Sequence, residues 1–142
     1  MTVPMMASGR LETTFITAIL LTGSVNQAET AVLEGIRSLN VDARPDEELL
    51  LRTTVAAAMD PRQRYRRPQP EEASQASSRL PVELQRVLQL PTDLRQCLVL
   101  RLLMTMPREL CARLLGINAR KVDRDTCLAA QTLAQIVQGE RP

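Results

Sequence analysis

The amino-acid sequence predicts an all-α protein made of two small helical bundles joined by a linker. Leu and Ala are abundant, whereas the strand-favouring aromatic residues are reduced to one Phe and one Tyr. Apolar residues recur at helical spacing through most of the 142-residue chain. Residues 60–79 interrupt this spacing with Pro, Arg, Gln and Ser, a composition typical of a linker. The predicted parts are therefore a helical domain over 1–59, a linker over 60–79 and a second helical domain over 80–142.

Three helices are predicted in the N-terminal domain. The first covers about residues 9–21 and is broken by the Gly that follows. Ser24 is a suitable N-cap for the second helix, and Gln27 three residues later completes a capping box. The predicted inward face of this second helix contains Ala28, Ala31, Val32, Gly35, Ile36 and Leu39. Asp46 is a suitable cap for a third helix over 47–59. That helix is predicted to face inward through Leu50, Thr54, Ala57 and Ala58.

Four helices are predicted in the C-terminal domain. A short helix ends near residue 90, and a second one follows over about 92–102. Pro107 stands where the first turn of the next helix belongs, and Gly116 ends that helix. Asn118 is the expected cap of the last helix, which covers about 119–138. The predicted inward stripe of this helix contains Val122, Thr126, Ala129, Leu133 and Ile136.

Composition and charge narrow the classes of function. The chain has no His, which removes the commonest general base and the commonest metal ligand. A zinc site or a Ser-His triad is therefore nearly excluded, an enzyme is the least favoured class, and no cofactor is expected. Residues 1–59 carry a net charge of −3 and residues 80–142 a net charge of +3. A basic C-terminal part is compatible with nucleic-acid binding, although +3 is weak.

The three cysteines indicate the redox compartment. Cys97, Cys111 and Cys127 form no CxxC pair, and the sequence shows no secretory signal, so reduced thiols in a cytoplasm are expected. Cys97 and Cys111 are expected to be small core residues, and Cys127 is the candidate for an exposed thiol. The apolar stretch over 14–21 is far too short to span a bilayer, so no membrane partner is expected.

Residues 107–128 are the most informative part of the sequence. A short helix, a tight turn with Gly and a longer helix that begins at a polar cap have the spacing of a helix-turn-helix. Ala112 allows a close helix crossing, Ile117 fills the turn and Val122 docks the second helix. The candidate DNA-binding residues at the start of that helix are Asn118, Arg120, Lys121 and Arg124. The competing interpretation is an ordinary helical hairpin whose basic residues form a solvated face.

These residues resemble those of a known family. Residues 90–96 and 98–101 look like the start of region four of the extracytoplasmic-function sigma factors, a bacterial family. The positions that then match the family's helix-turn-helix without a gap are Glu109, Ala112, Leu115, Gly116, Ile117, Asn118 and Val122. Residues 20–29 and 49–60 give a weaker similarity to region two. The resemblance covers most of the chain in the family's order: region two, linker and region four.

The resemblance implies a sigma-factor-like transcription regulator. Its partners would be core RNA polymerase, bound by the N-terminal half, and duplex promoter DNA, with an anti-sigma-like protein as a regulator. The sequence also departs from the family, which has several aromatic residues in region two and an acidic polymerase-binding signature near 28–36. Here those features are reduced to Phe15 and to Glu29 and Glu34. The last helix contains Asp123 and Asp125, two carboxylates that are expected to face the phosphate backbone and to be repelled by it. The alternative is therefore a degenerate sigma-like protein-interaction module without promoter-melting or DNA-binding activity.

Overall fold

The described part of the chain is helical. The computed structural model describes residues 3–38, 47–60 and 70–139, and within these ranges there is no β-strand. The α-helices are α1 Val3–Thr22, α2 Val25–Ser38, α3 Glu47–Ala58, α4 Pro70–Ser78, α5 Val82–Gln85, α6 Thr92–Leu98, α7 Arg108–Leu115 and α8 Ala119–Gly139. A 3₁₀ turn, Arg86–Gln89, follows α5, and a π-helical turn, Val99–Leu103, follows α6. The predicted all-α class is confirmed.

The chain divides into two compact units, Met1–Arg79 and Leu80–Pro142. In the first unit α1, α2 and α3 pack against one another in pairs, and α4 packs against α2. The end of α1 is buried on every side, since Ala18, Ile19, Leu20 and Leu21 all lie in the core. Burial of side chains of this size is the main stabilising contribution to a small helical unit.

The junction between α1 and α2 agrees in part with the predicted capping box. The Ser24 hydroxyl accepts a hydrogen bond from the backbone N–H of Gln27 at 3.3 Å, as an N-cap should. The Gln27 side chain is also buried, but the backbone N–H of Ser24 donates to Oγ1 of Thr22 at 3.3 Å and not to the Gln27 side chain, so the expected reciprocal bond is not made. Ser24 instead donates to a carboxylate oxygen of Glu72 at 2.7 Å. The cap therefore joins α2 to α4.

The predicted linker over 60–79 differs from the structure in its second half. Residues 70–78 form α4, and residues 61–69 lie outside the described residues. Pro70 is the first residue of α4, where the missing N–H costs no hydrogen bond, and Glu71 and Glu72 suit the positive end of the helix dipole. Ala76 is fully buried, so α4 is ordered by packing as well as by its own sequence.

The inward face predicted for α2 also needs a correction. Ala28, Ala31, Val32 and Gly35 are buried, but Ile36 is 45% exposed because α1, α3 and α4 do not cover that side of the helix near its end. Leu39 and Asp46 lie outside the described residues. In α3, Thr54 and Ala58 are buried, whereas Leu50 and Ala57 are half-buried.

The second unit is organised around α8. This helix packs against α6, α7 and the 3₁₀ turn, while α7 also contacts the π-helical turn. In α8, Val122 and Ala129 are buried as predicted, and Thr126, Leu133 and Ile136 are half-buried. Cys97 and Cys111 are buried and Cys127 is exposed, which confirms the three expectations for the thiols.

Candidate nucleic-acid interface

The turn between α7 and α8 depends on Gly116. Its backbone is left-handed, with φ of 69° and ψ of 32°, a conformation that glycine adopts without a steric cost. The backbone N–H groups of Gly116 and Ile117 both donate to the carbonyl of Ala112, the second at 3.0 Å. These bonds end α7 and direct the chain into the next helix within a few residues.

Asn118 determines where α8 begins. Its side-chain oxygen accepts a hydrogen bond from the backbone N–H of Lys121 at 2.8 Å, and its carbonyl accepts one from Val122 at 3.1 Å. An Asn at this position satisfies one of the backbone donors that the first turn of a helix leaves unpaired. The cap therefore determines which side chains the first turns of α8 present to solvent.

Burial of one face of α8 exposes the opposite face. Val122, Asp125 and Ala129 are buried, and they recur at the spacing of a single helix side. Arg120 and Arg124 lie on the opposite side and are exposed, as are Cys127 and Gln131 one and two turns further on. The exposed face thus begins with two guanidinium groups at the N-terminal end of the helix.

The four predicted DNA-binding residues all lie at the start of α8. Arg120 and Arg124 share the exposed face, Asn118 is exposed but is used as the cap, and Lys121 is half-buried to one side. Sequence periodicity predicts this arrangement because the cap and Val122 together determine the rotation of the helix.

The two carboxylates of this stretch occupy different environments. Asp123 is exposed and its Oδ2 lies 2.6 Å from Nη1 of Arg108, the first residue of α7. Asp125 is only 6% exposed and belongs to the buried side of α8. The expectation that both carboxylates face an approaching phosphate backbone is therefore wrong for Asp125, because the docking of α8 turns it inward.

Arg108 is the polar residue of this surface that sequence reasoning missed. Its Nε lies 3.2 Å from Oε1 of Glu109, so two carboxylates bind one guanidinium. The hydrogen bonds that Arg108 donates to Asp123 and Glu109 raise the pKa of Arg108 above its usual range. The pair with Asp123 spans 15 positions of the sequence, and the only signal for it is that helix-turn-helix spacing brings the starts of the two helices together.

Asp125 helps to raise the pKa of the Cys97 thiol. Burial raises the pKa of Cys97 to about 12, and the nearby charge of Asp125 contributes in the same direction. Nε of Arg124 lies 3.9 Å from Oδ1 of Asp125. A thiol in this environment stays protonated and unreactive at neutral pH, which fits a core residue rather than a redox centre.

The first unit contributes an exposed apolar patch on α2. Leu33 is 53% exposed, and Ile36 lies about one turn further along the helix. Glu29 and Glu34 are exposed on the same helix, and Glu34 pairs with Arg37 at 3.1 Å. Exposed apolar residues rimmed by charges are typical of protein-interaction surfaces.

A metal site and a membrane-spanning helix each place requirements on the described residues. Over 3–38, 47–60 and 70–139, no three Cys, Asp or Glu residues are grouped so that they could hold a metal ion. Within the same ranges no helix is both long enough and apolar enough to cross a lipid bilayer.

Comparisons with known proteins found no match. Neither a protein-family model, nor a curated protein, nor a solved structure matched the chain. The function proposed below therefore depends on the geometry of α2, α7 and α8 and on the sequence resemblance described above.

Proposed function

We propose that this chain is a sigma-factor-like transcription regulator. In this proposal α7, the turn at Gly116 and α8 form a helix-turn-helix that binds promoter DNA in the major groove. The N-terminal half binds core RNA polymerase, and the chain has no enzymatic activity of its own. An anti-sigma-like protein is the class of regulator that the resemblance implies.

The observation that carries the proposal is the position of Arg120 and Arg124. Both are exposed on one side of α8 within two turns of the Asn118 cap, opposite the buried Val122. A recognition helix contacts bases and phosphates with the side chains of its N-terminal turns, and Arg is the commonest reader of guanine. The burial of Asp125 supports the proposal, because it removes one carboxylate from the surface that would face phosphate.

Duplex binding is the direct test of this proposal. The full chain is titrated into a fluorescein-labelled duplex of mixed sequence over a series of salt concentrations, with anisotropy as the readout. The Arg120→Ala and Arg124→Ala variants are expected to weaken binding by about 1–3 kcal/mol if the residue reads a base, or to lower the salt slope by about 1 if it contacts phosphate.

Arg79→Ala is the matched control for this titration. It removes the same charge from an exposed residue outside α7 and α8, and it should leave both affinity and salt slope unchanged. Binding that falls equally in all three variants would indicate non-specific attraction by net charge and would contradict a reading role for α8.

Polymerase binding is assigned to α2. The exposed Leu33 and Ile36 offer the apolar contact, and Glu29 and Glu34 offer the acidic rim. The Leu33→Ser, Ile36→Ser double variant is expected to lose co-purification with bacterial core polymerase. Leu128→Ser is the control, because Leu128 is 44% exposed but lies on α8. Equal loss in both variants would contradict the assignment to α2.

The second candidate is a sigma-like interaction module that neither melts nor binds DNA. The observation that favours it is the pairing of Arg108 with Asp123, which leaves the start of α7 without a free cation. Anisotropy that stays flat for the wild type and for every α8 variant, together with intact polymerase binding, would favour this candidate.

A further inference from the structure

An ion pair joins the two helices of the proposed helix-turn-helix at its surface. Nη1 of Arg108 and Oδ2 of Asp123 are 2.6 Å apart, and both side chains are about half exposed. Asp123 immediately precedes Arg124 and lies three residues after Arg120, so it borders the exposed basic face of α8. The guanidinium of Arg108 therefore lies next to the surface that would contact DNA.

Arg108 is not available as a free cation in this arrangement. Two carboxylates bind it, because Glu109 accepts from Nε at 3.2 Å while Asp123 accepts from Nη1. The three side chains together carry a net charge of −1, although Arg is the residue best suited to bind phosphate. Both carboxylates therefore compete with an approaching phosphate for the guanidinium.

We propose that Arg108 is a phosphate-binding residue of the DNA surface and that Asp123 is its intramolecular competitor. This inference rests on the proposed function of α7 and α8. Duplex phosphate must displace the carboxylate of Asp123 before Arg108 can bind it, and exposed ion pairs are weak enough for such an exchange. The pair lowers the affinity of the chain for DNA of any sequence, so stable binding depends more strongly on base contacts and on polymerase.

The test is a double-mutant cycle on the full chain. Wild type, Asp123→Asn, Arg108→Gln and the double variant are titrated into the labelled mixed-sequence duplex at several salt concentrations. Asp123→Asn is expected to tighten binding by about two- to fivefold, the range that exposed ion pairs are worth. It should also steepen the salt slope, by at most about 0.9, because Arg108 then contacts a phosphate in every complex and not only in those where Asp123 has been displaced. In the Arg108→Gln background, Asp123→Asn should produce neither effect.

Asp93→Asn is the matched control for this cycle. Asp93 is an exposed carboxylate in the first turn of α6, so the variant makes the same chemical change in the same unit but on a helix other than α7 and α8. It should leave the salt slope unchanged. Far-UV circular dichroism and thermal unfolding of each variant confirm that the affinities compare folded proteins.

The outcomes separate this inference from the proposed function. An equal gain from Asp123→Asn in both backgrounds overturns the inference, because Asp123 then acts by direct repulsion, while wild-type binding sensitive to Arg120 still supports the function. Binding that appears only in Asp123→Asn and needs Arg108 supports the inference and contradicts DNA binding by the native chain. The absence of binding in all four proteins overturns both.

Discussion

The backbone of α2 at Gly35 lies directly against Thr54 of α3. A Cβ atom at Gly35 would lie 2.5 Å from Oγ1 and 2.9 Å from the backbone nitrogen of Thr54. The hydroxyl of the neighbouring Thr53 donates to the carbonyl of Gly35 at 3.1 Å, which fixes the same crossing. This contact between α2 and α3 therefore requires a residue without a side chain.

Gly35→Ala is expected to destabilise the chain despite the better helix propensity of Ala. The gain of about 1 kcal/mol from propensity is outweighed, because a backbone atom of α3 cannot move aside without shifting the helix. We expect a net loss of about 1–3 kcal/mol in the free energy of unfolding, measured by urea denaturation. The control is Thr54→Val, which removes a buried hydroxyl without a hydrogen-bond partner and should be neutral or stabilising. A Gly35→Ala variant as stable as wild type would show that the crossing adapts.

Ser24 has two separable roles that a pair of variants can distinguish. Ser24→Ala removes both the cap of α2 and the bond to Glu72, and it should cost about 1–2 kcal/mol. Glu72→Gln keeps the cap and weakens only the link to α4, so its cost should be smaller, about 0.5–1.5 kcal/mol. Urea denaturation measures the free energy of unfolding of both variants. If Ser24→Ala is as stable as Glu72→Gln or more stable, the cap contributes nothing to the free energy of unfolding.

The three thiols are expected to differ in their reactivity because two of them are buried and one is exposed. Cys127 should react with a thiol reagent at neutral pH, whereas Cys97 and Cys111 should react only after unfolding.

Burial and Asp125 raise the pKa of Cys97 from 9.0 to about 12 in the folded state. Because the folded pKa lies above the unfolded one, this contribution to stability is complete below about pH 9 and is lost as pH rises toward 12.

The Cys97→Ala variant tests this dependence. It should lose less stability than wild type when denaturation curves at about pH 8 and pH 11 are compared. The Cys127→Ala variant is the control and should follow the wild type, because that thiol is exposed. If Cys97→Ala and the wild type lose the same free energy of unfolding between these pH values, the pH dependence does not come from Cys97.

Promoter opening with core polymerase is expected to be inefficient. An unpaired strand needs aromatic platforms on which its bases stack, and Phe15 is the single aromatic residue of residues 1–59. Phe15 is also half-buried in α1. Permanganate footprinting should therefore show little reactive thymine in the promoter. A bubble of normal extent and yield would contradict this expectation.

Local signals determined most of the secondary structure and part of the candidate site. Ser24, Gly116 and Asn118 end or begin helices through bonds to residues within five positions, so their roles follow from the sequence alone. The periodic apolar positions of α8 likewise place Arg120 and Arg124 on the exposed side. These features require only the geometry of a single helix and its caps.

Contacts between helices decided the rest. Periodicity predicted Ile36 on the inward face of α2, but the packing around the end of that helix leaves it exposed. The predicted inward stripe of α8 left out Asp125, although its spacing puts it on the same side as Val122 and Ala129, and the packing of α8 buries that carboxylate. Residues 70–78 have the composition of a linker, yet Ala76 and the bond from Ser24 to Glu72 hold them against α2 as a helix. Arg108 meets Asp123 only because the turn at Gly116 folds α8 back beside α7. Helix propensity and capping are properties of neighbouring residues, whereas burial and ion pairing depend on residues that the chain brings together from far apart.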